Sequence, residues 1–449
     1  MSMVKKRFFY IILTLSFLTS LFPVCAFAEV KFKWGPYLRV RHEFWKNIFD
    51  MDNHRLDNRN FFRFKTSLWG QADIDENFTL HAKLTDEFRA YTYYAPSASK
   101  PSGKTDKYMK FQINEAVFDN LYFDWRNILD FPLDLRFGRQ DLPPAEYGEG
   151  FVLADGTPRD GSRTYYFNAA KVIWRMDDKN KLEFIAIKDD KTDDTLPIIN
   201  ELKGKYLLNY SDEYAFLLYH RNDAIKNLHL ENYYIYKREE KDRPSPLTEK
   251  SLINTLGSFA RYTFFPWELR GQLAGQFGKY GTKDRQAIGG YVFLDREFND
   301  VLFSPKASLG YYYLSGGNTN EKKYEGFAQL FSTYSWVSEL YNLSYSMETG
   351  TNYWTNLQMY RAWLELDLTK KAKLCMIYDY LRANQPQPGV NASFGNGKTR
   401  GHLAHAIFNY AFNKHVGAYV MAEYFIPGDF YVDGSDPALF LRSELQIKF

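Results

Sequence analysis

Cysteine is nearly absent from this chain, since only Cys25 and Cys375 occur among its 449 residues. Cys25 lies in an N-terminal segment with the features of a secretory signal: a basic start, an apolar run from Phe8 to Val24, and a small-x-small site ending at Ala28. We expect cleavage after Ala28, which removes residues 1–28. The mature chain then keeps Cys375 alone and cannot form an internal disulfide, so other contacts must hold its fold.

Long apolar segments and an excess of one charge are also missing from the mature chain. No run after residue 28 is long and apolar enough for a membrane-spanning helix, which excludes a helical membrane protein. Loss of the three basic residues of the signal lowers the formal charge from +3 to zero, so nothing suggests nucleic acid as a partner. Aromatic residues are abundant instead, with 35 Tyr and 38 Phe at a mean hydropathy of −0.46. This combination is typical of a transmembrane β-barrel, where lipid-facing and lumen-facing residues alternate.

Apolar and polar residues alternate along the mature chain in many segments of about ten residues or more. In the segment from Arg59 to Asp73, for example, Phe62 and Phe64 alternate with Arg63 and Lys65. This length favours strands that cross a membrane at a tilt over the shorter strands of soluble domains. The sequence therefore predicts an all-β fold, a transmembrane antiparallel β-barrel that forms a single domain over residues 29–449.

Two kinds of connection separate the predicted strands. Short polar turns, such as Asp75 to Asn77, are expected at the periplasmic end, and long connections rich in Gly or Pro at the extracellular end. The long connections are Ala95–Lys107, Leu142–Ser162, Arg238–Lys250, Ser315–Tyr324 and Gln385–Thr399. The second of them, which carries several charged residues, could fold inward as a gate.

The final strand is predicted to carry an assembly signal. Leu445, Ile447 and Phe449 alternate with polar residues, and the sequence ends on that phenylalanine. This arrangement looks like the C-terminal signal of bacterial outer-membrane proteins. We therefore expect Phe449 to act in assembly and the barrel-assembly machinery to be a partner.

Several motifs, in this order along the chain, resemble those of the bacterial alginate export protein family. They are RNFFRFKTSL from Arg59 to Leu68, Asn114-Glu115-Ala116, FGRQ from Phe137 to Gln140, LGYYYLSGG from Leu309 to Gly317, and Gly401-His402-Leu403 followed by Phe425 to Asp429. The resemblance spans nearly all the mature chain. It implies a monomeric outer-membrane barrel of about eighteen strands in a Gram-negative bacterium. It also implies passive export of an anionic exopolysaccharide through a basic lumen, with periplasmic export proteins as further partners.

Basic residues on the polar phase of the predicted strands are candidates to line such a lumen: Arg39, Arg41, Arg63, Lys65, Lys83, Arg136 and Arg361. A row of such groups raises the local concentration of a polyanion and donates charge-assisted hydrogen bonds to carboxylates. The alternative is that they are ordinary lumen residues paired with Glu43, Glu87, Asp134, Glu365 and Asp367. Arg139, in the FGRQ motif, is placed by the resemblance at a constriction or loop junction. A turn-capping role is its alternative.

Other motifs do not indicate chemistry. ASFGNGKT, from Ala392 to Thr399, fits a relaxed phosphate-loop pattern but lacks the strand and helix that such a loop requires. His402 and His405, three residues apart on a strand, point to opposite faces and cannot share a metal ion. No serine lies in a recognisable nucleophile motif, so we expect no cofactor, metal or catalytic residue. A general or solute-selective porin is the first alternative to the exporter, and an outer-membrane hydrolase is the less favoured one.

Overall fold

A computed structural model describes residues 30–49, 51–53, 58–94, 116–153, 167–193, 195–198, 211–240, 249–316, 322–331, 338–349, 355–388 and 393–449. The predicted signal, residues 1–28, lies outside the described residues. Among those described, no helix is long and apolar enough to cross a membrane. The strands are β1 Lys31–Lys46, β2 Arg59–Asp73, β3 Phe78–Tyr94, β4 Val117–Trp125, β5 Leu133–Gln140, β6 Phe167–Arg175, β7 Asn180–Asp189, β8 Glu213–Asn222, β9 Leu228–Glu239, β10 Ser251–Phe264, β11 Trp267–Tyr280, β12 Lys283–Glu297, β13 Lys306–Leu314, β14 Lys323–Tyr324, β15 Leu357–Thr369, β16 Ala372–Arg382, β17 Thr399–Ala411, β18 Val416–Pro427 and β19 Ala438–Lys448. One α-helix, α1, spans Glu339–Thr349, and short 3-10 turns span Ile128–Asp130, Pro144–Glu146 and Gly148–Gly150.

The sheet closes on itself into a barrel. Each long strand pairs antiparallel with the next, and β1 pairs with both β2 and β19. The two-residue β14 pairs parallel with β12 and is not part of the wall, because β13 pairs directly with β15. The wall therefore has eighteen strands in the described part of the chain. Closure pairs the backbone groups of every wall strand, and the predicted antiparallel barrel is confirmed.

Side chains alternate between an apolar outer face and a polar inner face, as the period of two requires. On the outer face, Leu68 is 53% exposed and Phe216 is 62% exposed, while on the inner face Arg39 and Arg63 are at most 2% exposed. This distribution is the reverse of that in a soluble protein, because the apolar atoms face outward and the charged ones are enclosed. The assignment of Phe62 and Phe64 to one phase and of Arg63 and Lys65 to the other is confirmed.

The two ends of the barrel differ in their connections. At one end the strands join through short turns, such as Ile74–Asn77, where the Asp75 carboxylate accepts hydrogen bonds from the N–H groups of Asn77 and Phe78, both at 2.7 Å. At the other end the connections are long. Short turns are periplasmic in bacterial barrels of this class. We call the two ends the short-turn end and the long-loop end.

Candidate functional site: an occluded lumen

Cationic side chains form a row on the inner face of β1, β2 and β19. We call it the basic row, and it consists of Arg39, Arg41, Arg63, Lys65 and Arg442. The register places Arg39 opposite Lys65 and Arg41 opposite Arg63. Like charges directly opposite each other destabilise a sheet, so this arrangement requires anions close by. The first four of these residues were predicted from the sequence as lumen residues, whereas Arg442 was not, although apolar and polar residues alternate clearly along its strand.

Buried carboxylates supply those anions. Glu87 accepts hydrogen bonds from Arg39 at 2.6 Å and from Arg63 at 2.5 Å, and Glu444 accepts one from Arg41. Glu43 lies within 2.8 Å of an Arg442 nitrogen. The four arginines of the basic row therefore form ion pairs in this arrangement, as the alternative interpretation held for Glu43 and Glu87.

The other predicted lumen cations also face carboxylates. Lys83 lies 2.7 Å from Asp119, Arg136 lies 2.7 Å from Asp124, and Arg361 donates two hydrogen bonds of 2.7 Å to Asp379. Three of the acidic partners weighed in the sequence analysis have different neighbours: Asp134 pairs with Arg175, and Glu365 and Asp367 pair with Lys373. Alternation gives the face of a side chain but not its partner on a distant strand.

Arg139 lies at a loop junction, one of the two positions that the family resemblance implied for it, and not on the inner face with the other predicted lumen cations. Its register partners are Leu121 and Asn168, which lie on the outward phase of their strands. Gly138, next to it, has a φ of +127°, and a Cβ there would lie 2.3 Å from the Leu121 carbonyl oxygen. On the outer face the Arg139 guanidinium pairs with Asp193, beyond β7, at 2.7 Å. It thus ties the β7–β8 connection to the wall.

The connection after β5 folds into the lumen. We call its described part, Asp141–Leu153, inner segment A. The Tyr147 hydroxyl donates to Glu183 on β7 at 2.8 Å, and the Gly148 N–H donates to Glu231 on β9 at 2.7 Å. Burial, and then the nearby Asp119 carboxylate, raise the pKa of Asp141 to about 6. The expectation that this connection folds inward is confirmed for its described residues; 154–162 lie outside them.

A second stretch, between β13 and β15, also enters the lumen. Inner segment B comprises Lys322–Phe331 and helix α1. The Phe331 N–H donates to the Val152 carbonyl at 3.2 Å, so the two inner segments touch each other. The Ser344 hydroxyl of α1 donates to the Ile48 carbonyl at 2.6 Å, beyond the end of β1. Helix α1 was not predicted from the sequence, because its eleven residues carry no strong apolar periodicity.

The N-terminus of α1 rests on a wall carboxylate. Glu423 of β18 accepts hydrogen bonds from the N–H groups of Glu339 at 3.3 Å and Leu340 at 2.6 Å. Negative charge at this position is favourable because the first N–H groups of a helix have no partner within it. His405 lies between Glu423, at 3.0 Å, and Asp379, at 3.1 Å. His402 instead contacts Tyr378 on the outer face, which confirms that the two histidines face opposite ways.

A polar cavity of about 440 Å³ lies in the lumen toward the short-turn end. Glu149 of inner segment A reaches it, and Arg261, Arg270, Lys306 and Trp363 are among the wall residues that line it. Arg261 and Lys306 are each 39% exposed at their side chains, far more than the basic row. The two inner segments therefore occupy part of the lumen and meet there, and an accessible charged pocket lies beside Glu149 of inner segment A.

Comparison with known proteins places the fold. The family model described as alginate export matches residues 33–439. A search of curated proteins finds no match. Among solved structures, OccK8 (OprE) of Pseudomonas aeruginosa is 11% identical over 95% of this chain and 99% of that chain, with a TM-score of 0.57. OccAB4 of Acinetobacter baumannii is 13% identical over 93% and 98%, with a TM-score of 0.54. OccK2 (OpdF) of P. aeruginosa in complex with glucuronate is 8% identical over 95% and 99%, also at 0.54. At these identities the likeness concerns the fold.

Proposed function

Because this chain belongs to the alginate export family, we propose that it is a channel in the outer membrane of a Gram-negative bacterium through which an anionic polysaccharide leaves the cell. The basic row is the observation that supports the anionic cargo. Its cations point into the lumen along one wall, so a polymer with regularly spaced carboxylates meets a series of donors rather than one tight site. Several moderate sites suit transport, because the chain must also leave each of them.

The internal carboxylates fit this proposal. Glu87 and Glu444 hold the guanidinium groups of the basic row in an aligned arrangement while no cargo is present. A passing carboxylate would exchange with them at each step, so the net attraction per step stays small. Inner segments A and B meet inside the lumen and would move aside as a polymer passes. The protein then acts as a gated passive channel, without catalysis.

The double substitution Arg63→Glu and Lys65→Glu tests this proposal in planar bilayers. We expect the variant to lose anion preference and to need about tenfold more alginate for half-maximal block of the current. Block of the wild type should weaken at high salt, because screening confines the charges to about 10 Å at 0.1 M. The matched control is Lys179→Glu with Lys226→Glu, the same charge change in two exposed short turns. Equal block of the wild type and the basic-row variant would contradict the proposal.

A solute-selective porin is the second candidate, favoured by one observation. Predicted lumen cations have carboxylates within ion-pair distance, which lowers the positive charge that a polymer would meet; they include Arg39, Arg41, Arg63, Lys83, Arg136 and Arg361. OccK2, which shares the fold, has been crystallised with glucuronate, a single uronic acid. Liposome flux of glucuronate and of oligouronates of increasing length separates the two candidates. Flux that stops beyond one or two sugar units would favour the porin.

A further inference from the structure

Two arginines lie directly opposite each other on the inner face of β10 and β11. The register pairs Arg261 with Arg270. Two guanidinium groups so placed repel each other unless an anion lies between them. That anion is Glu149 of inner segment A: one carboxylate oxygen lies 2.6 Å from a nitrogen of Arg261, and the other accepts a hydrogen bond from Arg270. The pair therefore forms a receptor for one carboxylate.

Glu149 reaches this receptor from the tip of an unusual turn. Gly148, Glu149 and Gly150 all have left-handed backbones, with φ values of 53°, 56° and 79°. A residue with a Cβ rarely adopts this conformation, so other contacts must hold it there. The Tyr291 hydroxyl donates to the Glu149 carboxylate at 3.2 Å and to the Gly148 carbonyl at 3.3 Å. The carboxylate is thus supplied by a connection between strands, whereas both arginines belong to the wall.

The wall keeps the two arginines in place without Glu149. Arg270 also donates to Asp295 at 2.8 Å, and Arg261 lies 3.6 Å from Glu268. Asp295 is 1% exposed, so this second contact of Arg270 is buried. Removal of Glu149 would leave a pre-arranged pair of guanidinium groups facing the cavity, each with donors to spare.

The cavity below the pair has the size and chemistry of a saccharide site. Its volume of about 440 Å³ falls within the usual range for ligand pockets, about 300–1,000 Å³. Tyr312 and Trp363 give it aromatic faces, and Ser308 and Lys306 give it hydrogen-bonding groups. Arg261 and Lys306 are the exposed residues at its open side. A sugar ring that carries a carboxylate would find both an apolar face and the paired arginines there.

We propose that Arg261 and Arg270 bind a carboxylate of the transported saccharide and that Glu149 occupies the same site as an internal competitor. Displacement of Glu149 by cargo from the short-turn end releases inner segment A and begins to open the lumen. The inference rests on the proposed function for its cargo, but it makes a separate claim about binding. By linkage, whatever weakens the contact of Glu149 must tighten the binding of the external carboxylate.

Titration of the full-length protein in detergent with sodium D-glucuronate tests this claim by calorimetry. We expect Glu149→Gln to lower the Kd for glucuronate about tenfold, because the competitor loses its charge. Adding Arg261→Gln to that variant should abolish the gain. Glucose, which lacks the carboxylate, should not bind measurably to any variant. In planar bilayers Glu149→Gln should also raise the basal conductance.

The matched control is Glu146→Gln, which removes an equal charge from an exposed position of the same segment. An unchanged Kd in Glu149→Gln, or an equal shift in Glu146→Gln, would overturn the inference. So would full retention of the gain in the variant that also carries Arg261→Gln. Gel migration of unheated samples confirms that each variant is a folded barrel. Glu149→Asp, which keeps the charge but shortens the side chain, serves as a second variant, and it too should lower the Kd for glucuronate.

The inference and the proposed function fail in different ways. If alginate blocks the wild type as expected but glucuronate binds Glu149→Gln no better, only the internal competitor is wrong. If glucuronate binding tightens as expected but no polymer blocks or crosses the channel, the site stands and the polymeric cargo is wrong.

Discussion

Substitution of Glu423 by glutamine should release helix α1 from the wall while the barrel stays closed. The Glu423 carboxylate accepts hydrogen bonds from the Ser338 hydroxyl at 2.8 Å and from the N–H groups of Glu339 and Leu340. It also contacts the His405 ring at 3.0 Å. Glutamine has nearly the same shape, but one of its two terminal atoms is a donor that faces other donors.

The size of the effect follows from these bonds. A hydrogen bond to a charged group contributes about 1.5–3 kcal/mol, against about 1 kcal/mol for a neutral pair. Losing that difference for the three donors at the N-terminus of α1, namely Ser338, Glu339 and Leu340, amounts to about 3 kcal/mol. Since about 1.4 kcal/mol is a factor of ten, the ratio of docked to undocked α1 should fall roughly a hundredfold.

Hydrogen exchange measured by mass spectrometry reads this ratio directly. Peptides covering Ser338–Thr349 should exchange up to about a hundredfold faster in Glu423→Gln, while peptides from β1 to β5 keep the wild-type rate. Asp367→Asn, a charge removed near the short-turn end and away from α1, is the control. Unchanged exchange in α1, or an equal rise throughout the barrel, would refute the view that Glu423 anchors this helix.

Three further predictions concern the ends of the barrel. Because the pKa of Asp141 is raised from 3.8 to about 6, its contribution to docking of inner segment A is greatest below pH 3.8 and is lost as the pH rises through 6. Asp141→Asn should therefore slow exchange in Asp141–Leu153 at pH 7.5 and leave it unchanged at pH 3.5; an equal effect at both values would contradict the assignment. Arg139→Ala removes one partner of a buried pair and should destabilise the fold of residues 190–193 by about 3–5 kcal/mol, seen as proteolysis there with conductance unchanged. Deletion of Phe449 should lower the yield of folded barrel in the outer membrane, measured as heat-modifiable protein, and normal yield would argue against an assembly role.

The faces of the strands could be predicted from the sequence because they depend on local alternation alone. Arg63 and Lys65 are separated from Phe62 and Phe64 by a period of two, and closure of the sheet keeps that period. Arg139 lies at a loop junction and not on the inner face, for an equally local reason. Gly138 has a positive φ, a backbone conformation that residues with a Cβ rarely adopt. Beyond Gly138 the strand continues with Arg139 on the outer face. A glycine beside a charged residue in a strand was the one available signal.

The inner segments could not be predicted because their contacts join distant parts of the chain. Glu423 and Ser338 are 85 residues apart, and Arg442 and Glu339 are 103 apart. Each of these side chains alone is an unremarkable polar residue in a strand or a loop. Burial inside the barrel makes the pairing strong, since charges enclosed there have few alternatives to each other. The same holds for Glu149, whose significance depends on two arginines more than a hundred residues away.

The pairing of the lumen cations changes what the proposed transport of an anion would require of this channel. A row of bare arginines would attract a polyanion strongly and also retain it, because every carboxylate would gain a full ion pair. Where Glu87, Glu444 and Glu149 already occupy those arginines, an incoming carboxylate gains only the difference between two similar contacts. Exchange is then nearly balanced at each step, which permits binding and release in turn. If the cargo is the anionic polysaccharide proposed above, the positions of the arginines would set selectivity, and the carboxylates that compete for them would set the rate of passage.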